Sequence, residues 1–185
     1  MKLRPFIFAL IGLSFLASLF AAEPNISGNY TESRAVYGTE TLESIQGSGL
    51  VRLNGTFITN AVQVQGSLIT QNAHIGTLDI MGEANLTSTI VKNGGTVIGS
   101  LQAIRSTFEQ AITILTPKAI FTASRLEGIT VQQDSGIKGK QVIELKQGST
   151  VNGPIHFESG KGEVLLYPGS KVLGPVTGGK IVKKQ

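Results

Sequence analysis

The chain contains no cysteine and no tryptophan. Without cysteine it can form no disulfide, no thiol nucleophile and no cysteine-anchored lipid. Thiolate metal sites are excluded for the same reason. Charged side chains are scarce, at 15% of 185 residues, yet apolar residues recur at regular spacing, which argues against general disorder. Aromatic residues make up only 6%, too few to supply a basic face with stacking rings, so no nucleic-acid partner is expected.

Catalytic groupings are also sparse. Hydrolysis of a glycosidic bond usually needs two carboxylates about 5 to 9 Å apart. Asp79 and Glu83 are the pair to consider, and a turn at Gly82 stands between them. The two histidines, His74 and His156, are the only candidates for a general base. Ile75 to Ile80 and Met81 to Leu86 look like two hexads of the hexapeptide-repeat acyltransferases, but the long uninterrupted run of hexads is missing. Gly94-Gly95 is not followed by Gly-Lys-Ser/Thr and makes no phosphate loop. The sequence therefore predicts no enzyme, with no catalytic, cofactor-binding or metal residues and no cofactor.

Glycine is abundant, with 23 residues. The first 22 residues stand apart. Lys2 and Arg4 precede the apolar run Phe6 to Phe20, Ala21-Ala22 follows, and Glu23-Pro24 opens a polar segment. This is the layout of a secretory signal peptide, and the run is short for a membrane span. The expected location is outside the cytoplasm, periplasmic or extracellular, with membrane contact only through this segment if it is retained. Beyond it the charge is uneven. Residues 23–117 carry four basic and seven acidic side chains, and residues 118–185 carry ten and five. Such asymmetry bears on association or on binding an anionic surface.

The recurring unit is an aliphatic residue two places before glycine. Examples are Leu53-Gly55, Val64-Gly66, Ile80-Gly82, Val97-Gly99, Leu126-Gly128, Val151-Gly153 and Val172-Gly174. The aliphatic side chain points into a core, and glycine bends the backbone where a Cβ would clash. Strands this short, joined by glycine turns, wind into a coil in which each strand pairs with its equivalent one turn away. The octets GSTVNGPI (148–155) and GSKVLGPV (169–176) mark the same corner of neighbouring coils. One coil is legible between them. Val151 is the first inward position, Ile155 and Phe157 the second, and Val164 to Tyr167 the third strand. Pro154 and Pro175 belong at corners, where a missing N–H costs no ladder bond. Thr150 and Lys171, and Asn152 and Leu173, are the outward positions, and apolar Leu173 points to a covered face. GGTVIGSL (94–101) reads as a third copy, several coils upstream. About seven coils of roughly 17 to 22 residues are expected.

Residues 100–127 contain no glycine. Leu101, Ile104, Phe108, Ile112 and Leu115 carry helical spacing, whereas Gln-Ala-Ile and Lys-Ala-Ile triplets recur every eight residues. An even period and abundant Thr and Ile favour strand. Residues 23–48 read as a cap or loose segment, 49–179 as the solenoid, and 180–185 as a basic tail whose lysines discourage edge pairing. Sequons at Asn25, Asn29, Asn54 and Asn85 matter only in a glycosylating host.

The run of Val-Asn-Gly-Pro-Ile, Val-Leu-Gly-Pro-Val and Val-Ile-Gly-Ser-Leu resembles the bactofilins, bacterial polymer-forming proteins. The resemblance covers about residues 49–179. It implies an all-β, single-stranded right-handed parallel β-helix that assembles end to end without nucleotide, as an envelope scaffold. A secreted β-helix that binds an envelope glycan or host surface is the other reading, and an atypical polysaccharide-active enzyme a third.

Overall fold

The computed structural model describes residues 34–185 and the backbone of 28–30. Residues 1–22, read from the sequence as a signal peptide, and the sequon at Asn25 lie outside the described residues, as does the side chain of Asn29. The described residues form twenty strands and no helix, and the strands pair in parallel. The chain is a β-solenoid with three strand-bearing faces per coil.

The first face stacks nine rungs, led by Gly28, Ile45, Val62, Leu78, Gly95, Ile112, Ile129, Ile155 and Val176. Nine rungs at ~4.8 Å each stand about 40 Å tall. The second face runs from Arg34–Tyr37 through Lys118–Thr122, Gln141–Lys146 and Gly162–Leu166 to Gly179–Lys183. The third runs from Thr41–Leu42 through Ile90–Val91, Thr107–Phe108, Arg125–Leu126 and Thr150–Val151 to Lys171–Val172. Strand pairing thus includes residues 28–30, 34–37, 41–42 and 45–48, upstream of position 49.

Period-2 alternation fills the interior from all three faces. Phe108, Phe121 and Phe157 come from the third, second and first faces and are fully buried, with Phe108 and Phe121 edge to face at 6.0 Å. The octet reading holds in register: Val151 pairs with Val172 and Ile155 with Val176. Pro154 and Pro175 sit at the corner between third and first faces, where their carbonyls accept from Ile129 and Ile155.

Three expectations need correction. GGTVIGSL is not a third copy of the octet's corner. Its Val97 lies on the first face and Leu101 on the second, so it spans a different corner and its distance from the octets marks no period. Coil length is also more variable than expected. Early steps are short, as from Ile45 to Val62 and from Val62 to Leu78. The step from Ile129 to Ile155 is far longer, because residues 132–140 are inserted at a corner. Finally, residues 100–127 are strands, yet the eight-residue repeat is not the reason. Ala103 and Ala119 are buried, whereas Ala111 lies exposed at a corner. Each corner shifts the in–out parity, and that shift imitates a helical stripe.

Two corner ladders hold neighbouring coils together. Between first and second faces, Gly49, Gly66, Gly82 and Gly99 stack in register with φ of 102°, 141°, 138° and 127°. A Cβ on Gly82 would run into the Gly66 carbonyl oxygen, so only glycine fits. Between second and third faces a left-handed residue, such as Asn72, Ser88, Arg105 or Ala123, precedes an inward, buried one. Thr89, Ser106, Ser124 and Ser149 occupy that inward position. The N–H of each of the first three donates to the next coil's hydroxyl: Thr89 to Ser106 at 3.2 Å, Ser106 to Ser124 at 3.1 Å and Ser124 to Ser149 at 3.1 Å. The hydroxyls donate to carbonyls, as Ser124 does to Thr122 at 2.9 Å. The ladder satisfies backbone groups that leave the sheet inside the fold. It ends at Ser149, and the buried hydroxyl of Ser170 one coil on has no partner.

Candidate functional site

Asp79 lies outward on the first face, and Glu83 lies beyond the Gly82 corner on the second. The Asp79 carboxylate accepts from the Thr96 N–H at 3.2 Å, and the Glu83 carboxylate accepts from Asn85 Nδ2 at 2.7 Å. The fold therefore does not aim this pair across one face. His74 lies on the third face, stacked on Phe57 with ring centroids 5.2 Å apart. His156 lies on the first face, its Nδ1 2.7 Å from the Thr177 hydroxyl. The two histidines occupy different faces and different coils. Asn54 is exposed and Asn85 half-buried, both on the second face.

A concavity runs over the first face. Gln46, Gln63, Asp79 and Thr96 form one outward column, and Ser48, Gln65, Met81 and Ile98 form the next. Between them is a groove of about 600 Å³. The volume is in the range of small-molecule clefts, ~300 to 1,000 Å³. Alternation alone marks these positions as outward, but only the register shows that four coils align them.

The C-terminal coil is the second distinctive surface. Lys171–Val172, Val176–Thr177 and Gly179–Lys183 each pair with a strand on one side only, which leaves a free backbone edge on all three faces among the described residues. One coil earlier Val151, Ile155 and Val164 are fully buried, whereas Val172 and Val176 are half-buried and Ile181 is 43% exposed. Thr150 and Lys171 point outward as expected, Asn152 donates to Glu127 at 2.6 Å, and Leu173 is 66% exposed. The coil carries Lys171, Lys180, Lys183 and Lys184 and no acid.

The second face beside this end is crosslinked by charge. Glu144 lies between Lys118 at 2.8 Å and Lys146 at 2.7 Å, and the Lys146 ammonium stands 5.1 Å over the Tyr167 ring. Burial opposes ionisation of Glu144, but hydrogen bonds and positive charge from both lysines outweigh it and hold the carboxyl below its ordinary range. Glu163 bridges Lys140 at 2.5 Å and Lys180 at 3.5 Å, and the Lys140 hydrogen bond chiefly lowers its pKa. At the opposite end, burial and then the negative charge of Glu40 raise the Tyr37 hydroxyl pKa. The basic last coil thus faces away from a first coil in which Glu40 and Glu43 outnumber Arg34. Comparison with protein-family models, with curated proteins and with solved structures finds no match.

Proposed function

We propose that the protein is an exported, non-enzymatic structural β-solenoid of the bacterial cell envelope that self-associates end to end as a scaffold. The C-terminal coil carries this reading: among the described residues three unpaired strand edges surround inward side chains whose counterparts one coil earlier are completely buried. A further coil laid over it would pair the edges and bury Val172, Val176 and Ile181. Identical basic ends repel, and lysines on an edge oppose pairing between like ends. The more acidic first coil of a second copy is the complementary partner. Such a heterologous contact repeats without closing and gives a filament. The bactofilin resemblance agrees with assembly of this kind, and export rests on residues 1–22.

Light scattering of the exported form over a wide concentration range tests the reading. Wild-type mass should grow with concentration, and Val176→Lys with Ile181→Lys should hold the protein monomeric with an unchanged β spectrum. A wild type that stays strictly monomeric refutes the scaffold. The first-face groove favours a second reading, a binding module for an envelope glycan. Saturable glycan binding that Gln63→Ala and Gln65→Ala remove would favour that module.

A further inference from the structure

The corner between second and third faces opens a pocket of about 260 Å³ between Arg105 and Arg125, closed off by Thr107, Ala123, Gly148 and Thr150. Arg105 occupies the left-handed corner position with φ +49°, a conformation that costs a non-glycine residue energy unless its surroundings fix it. Its N–H is tied to Thr122 at 2.9 Å, so the corner holds the residue in place. Arg125 points outward from the third face, in register with Thr107 one coil before and Thr150 one coil after. Three coils therefore contribute to one concavity.

Among the described residues neither guanidinium makes an ion pair. Arg105 has one long side-chain contact, Nε to the Ser88 hydroxyl at 3.4 Å. The carboxylates just past these third-face strands, Glu109 and Glu127, lie two residues beyond Thr107 and Arg125 with inward Phe108 and Leu126 between, and Glu127 already accepts from Asn152 at 2.6 Å. The pocket thus gathers two permanent cations and two half-buried hydroxyls with no anion to balance them. Ala123 is what keeps it open. In the corner stack it stands between Arg105 and Gln147, and its methyl leaves the space that a longer side chain would fill.

We propose that this pocket binds a phosphate group. A phosphate presents enough oxygens to accept from both guanidinium forks and both hydroxyls, and arginine suits it because its donors are planar, paired and always charged. The group can belong to a soluble phosphate or to a lipid headgroup, and the chemistry of the pocket is the same for both. The site is independent of the end-to-end contact, since no C-terminal-coil residue lines it.

Calorimetric titration with inorganic tripolyphosphate, and flotation with phosphatidylglycerol or phosphatidylcholine vesicles, test the assignment on the exported full chain. Arg105→Gln with Arg125→Gln should weaken binding by about tenfold or more. Ala123→Gln should weaken it too with no change of charge, and Gln147 shows that glutamine tolerates this backbone, with φ +52°. Arg52→Gln with Lys92→Gln removes the same charge elsewhere and should leave binding intact. Binding to tripolyphosphate assigns a soluble phosphate, and binding to phosphatidylglycerol vesicles alone, with the same mutational pattern, assigns a headgroup. No saturable binding to either probe, or equal loss in the Arg52/Lys92 control, overturns the site. Melting temperature and β spectrum, measured for every variant, separate lost binding from lost fold.

Discussion

The coils up to Ile129 and those after it are built by different rules. The early coils advance by short, nearly equal steps and lock together through the backbone, by glycines stacked from Gly49 to Gly99 at one corner and, at another, by the hydroxyl ladder that continues to Ser149. The late coils take longer and unequal steps, from Ile129 to Ile155 and then from Ile155 to Val176. At the corner where the early coils stack glycine as far as Gly99, the first late coil carries the inserted residues 132–140, and the late coils carry charge across the second face. All four ion pairs among the described residues lie from Lys118 onward. A tight corner leaves no room for a side chain, so identity is forced there. A wide corner leaves room, and coils are then linked by groups that tolerate a change of length.

This contrast can be broken most strongly at the glycine corner. Gly82→Ala adds a Cβ against the Gly66 carbonyl at φ +138° and should cost about 3 kcal/mol or more, read as a fall in denaturation midpoint. Gly136→Ala in the inserted corner meets only the Asp134 carboxylate, no closer than 3.5 Å, and should be nearly neutral. If both cost the same, the two corners do not differ in kind. The hydroxyl ladder gives a middle effect. Ser124→Ala leaves the buried Ser106 N–H without its acceptor and should cost ~1 to 3 kcal/mol, whereas Ser170→Ala removes a hydroxyl with no partner and should cost far less.

The smallest effect concerns pH. The folded-state pKa values of Glu144 and Glu163 are lowered, so their contribution is complete above the ordinary carboxylate pKa of 4.5 and is lost as pH falls through the folded values. Glu144→Gln should flatten part of the acid-side fall in stability. Hydrogen exchange should place that change in the late coils, and an equal change in the early coils would contradict the division.

Much of the architecture is legible in the sequence because glycine and proline mark the corners. The coil from Val151 to Leu166 can be read residue by residue, since Gly153-Pro154 and Pro168-Gly169 bracket it. The hydroxyl ladder cannot. Thr89, Ser106, Ser124, Ser149 and Ser170 follow one another at uneven intervals, the widest of them spanning the insertion at 132–140. Small polar residues also carry no hydropathy signal, so only the register shows them stacked. The Arg105–Arg125 pocket is invisible for a related reason: a full coil of sequence separates the two arginines, and a left-handed corner brings them to one opening. Asp79 and Glu83 mislead in the opposite sense, close in sequence but turned apart by Gly82.

Electron microscopy of the protein from residue 23 onward tests the central claim most directly, because the fold fixes the dimensions of an end-to-end assembly. Nine stacked rungs predict unbranched filaments one solenoid wide with an axial repeat of about 40 Å, dispersed by Ile181→Lys. Isolated particles about 40 Å long at every concentration, unchanged by Ile181→Lys, would contradict it.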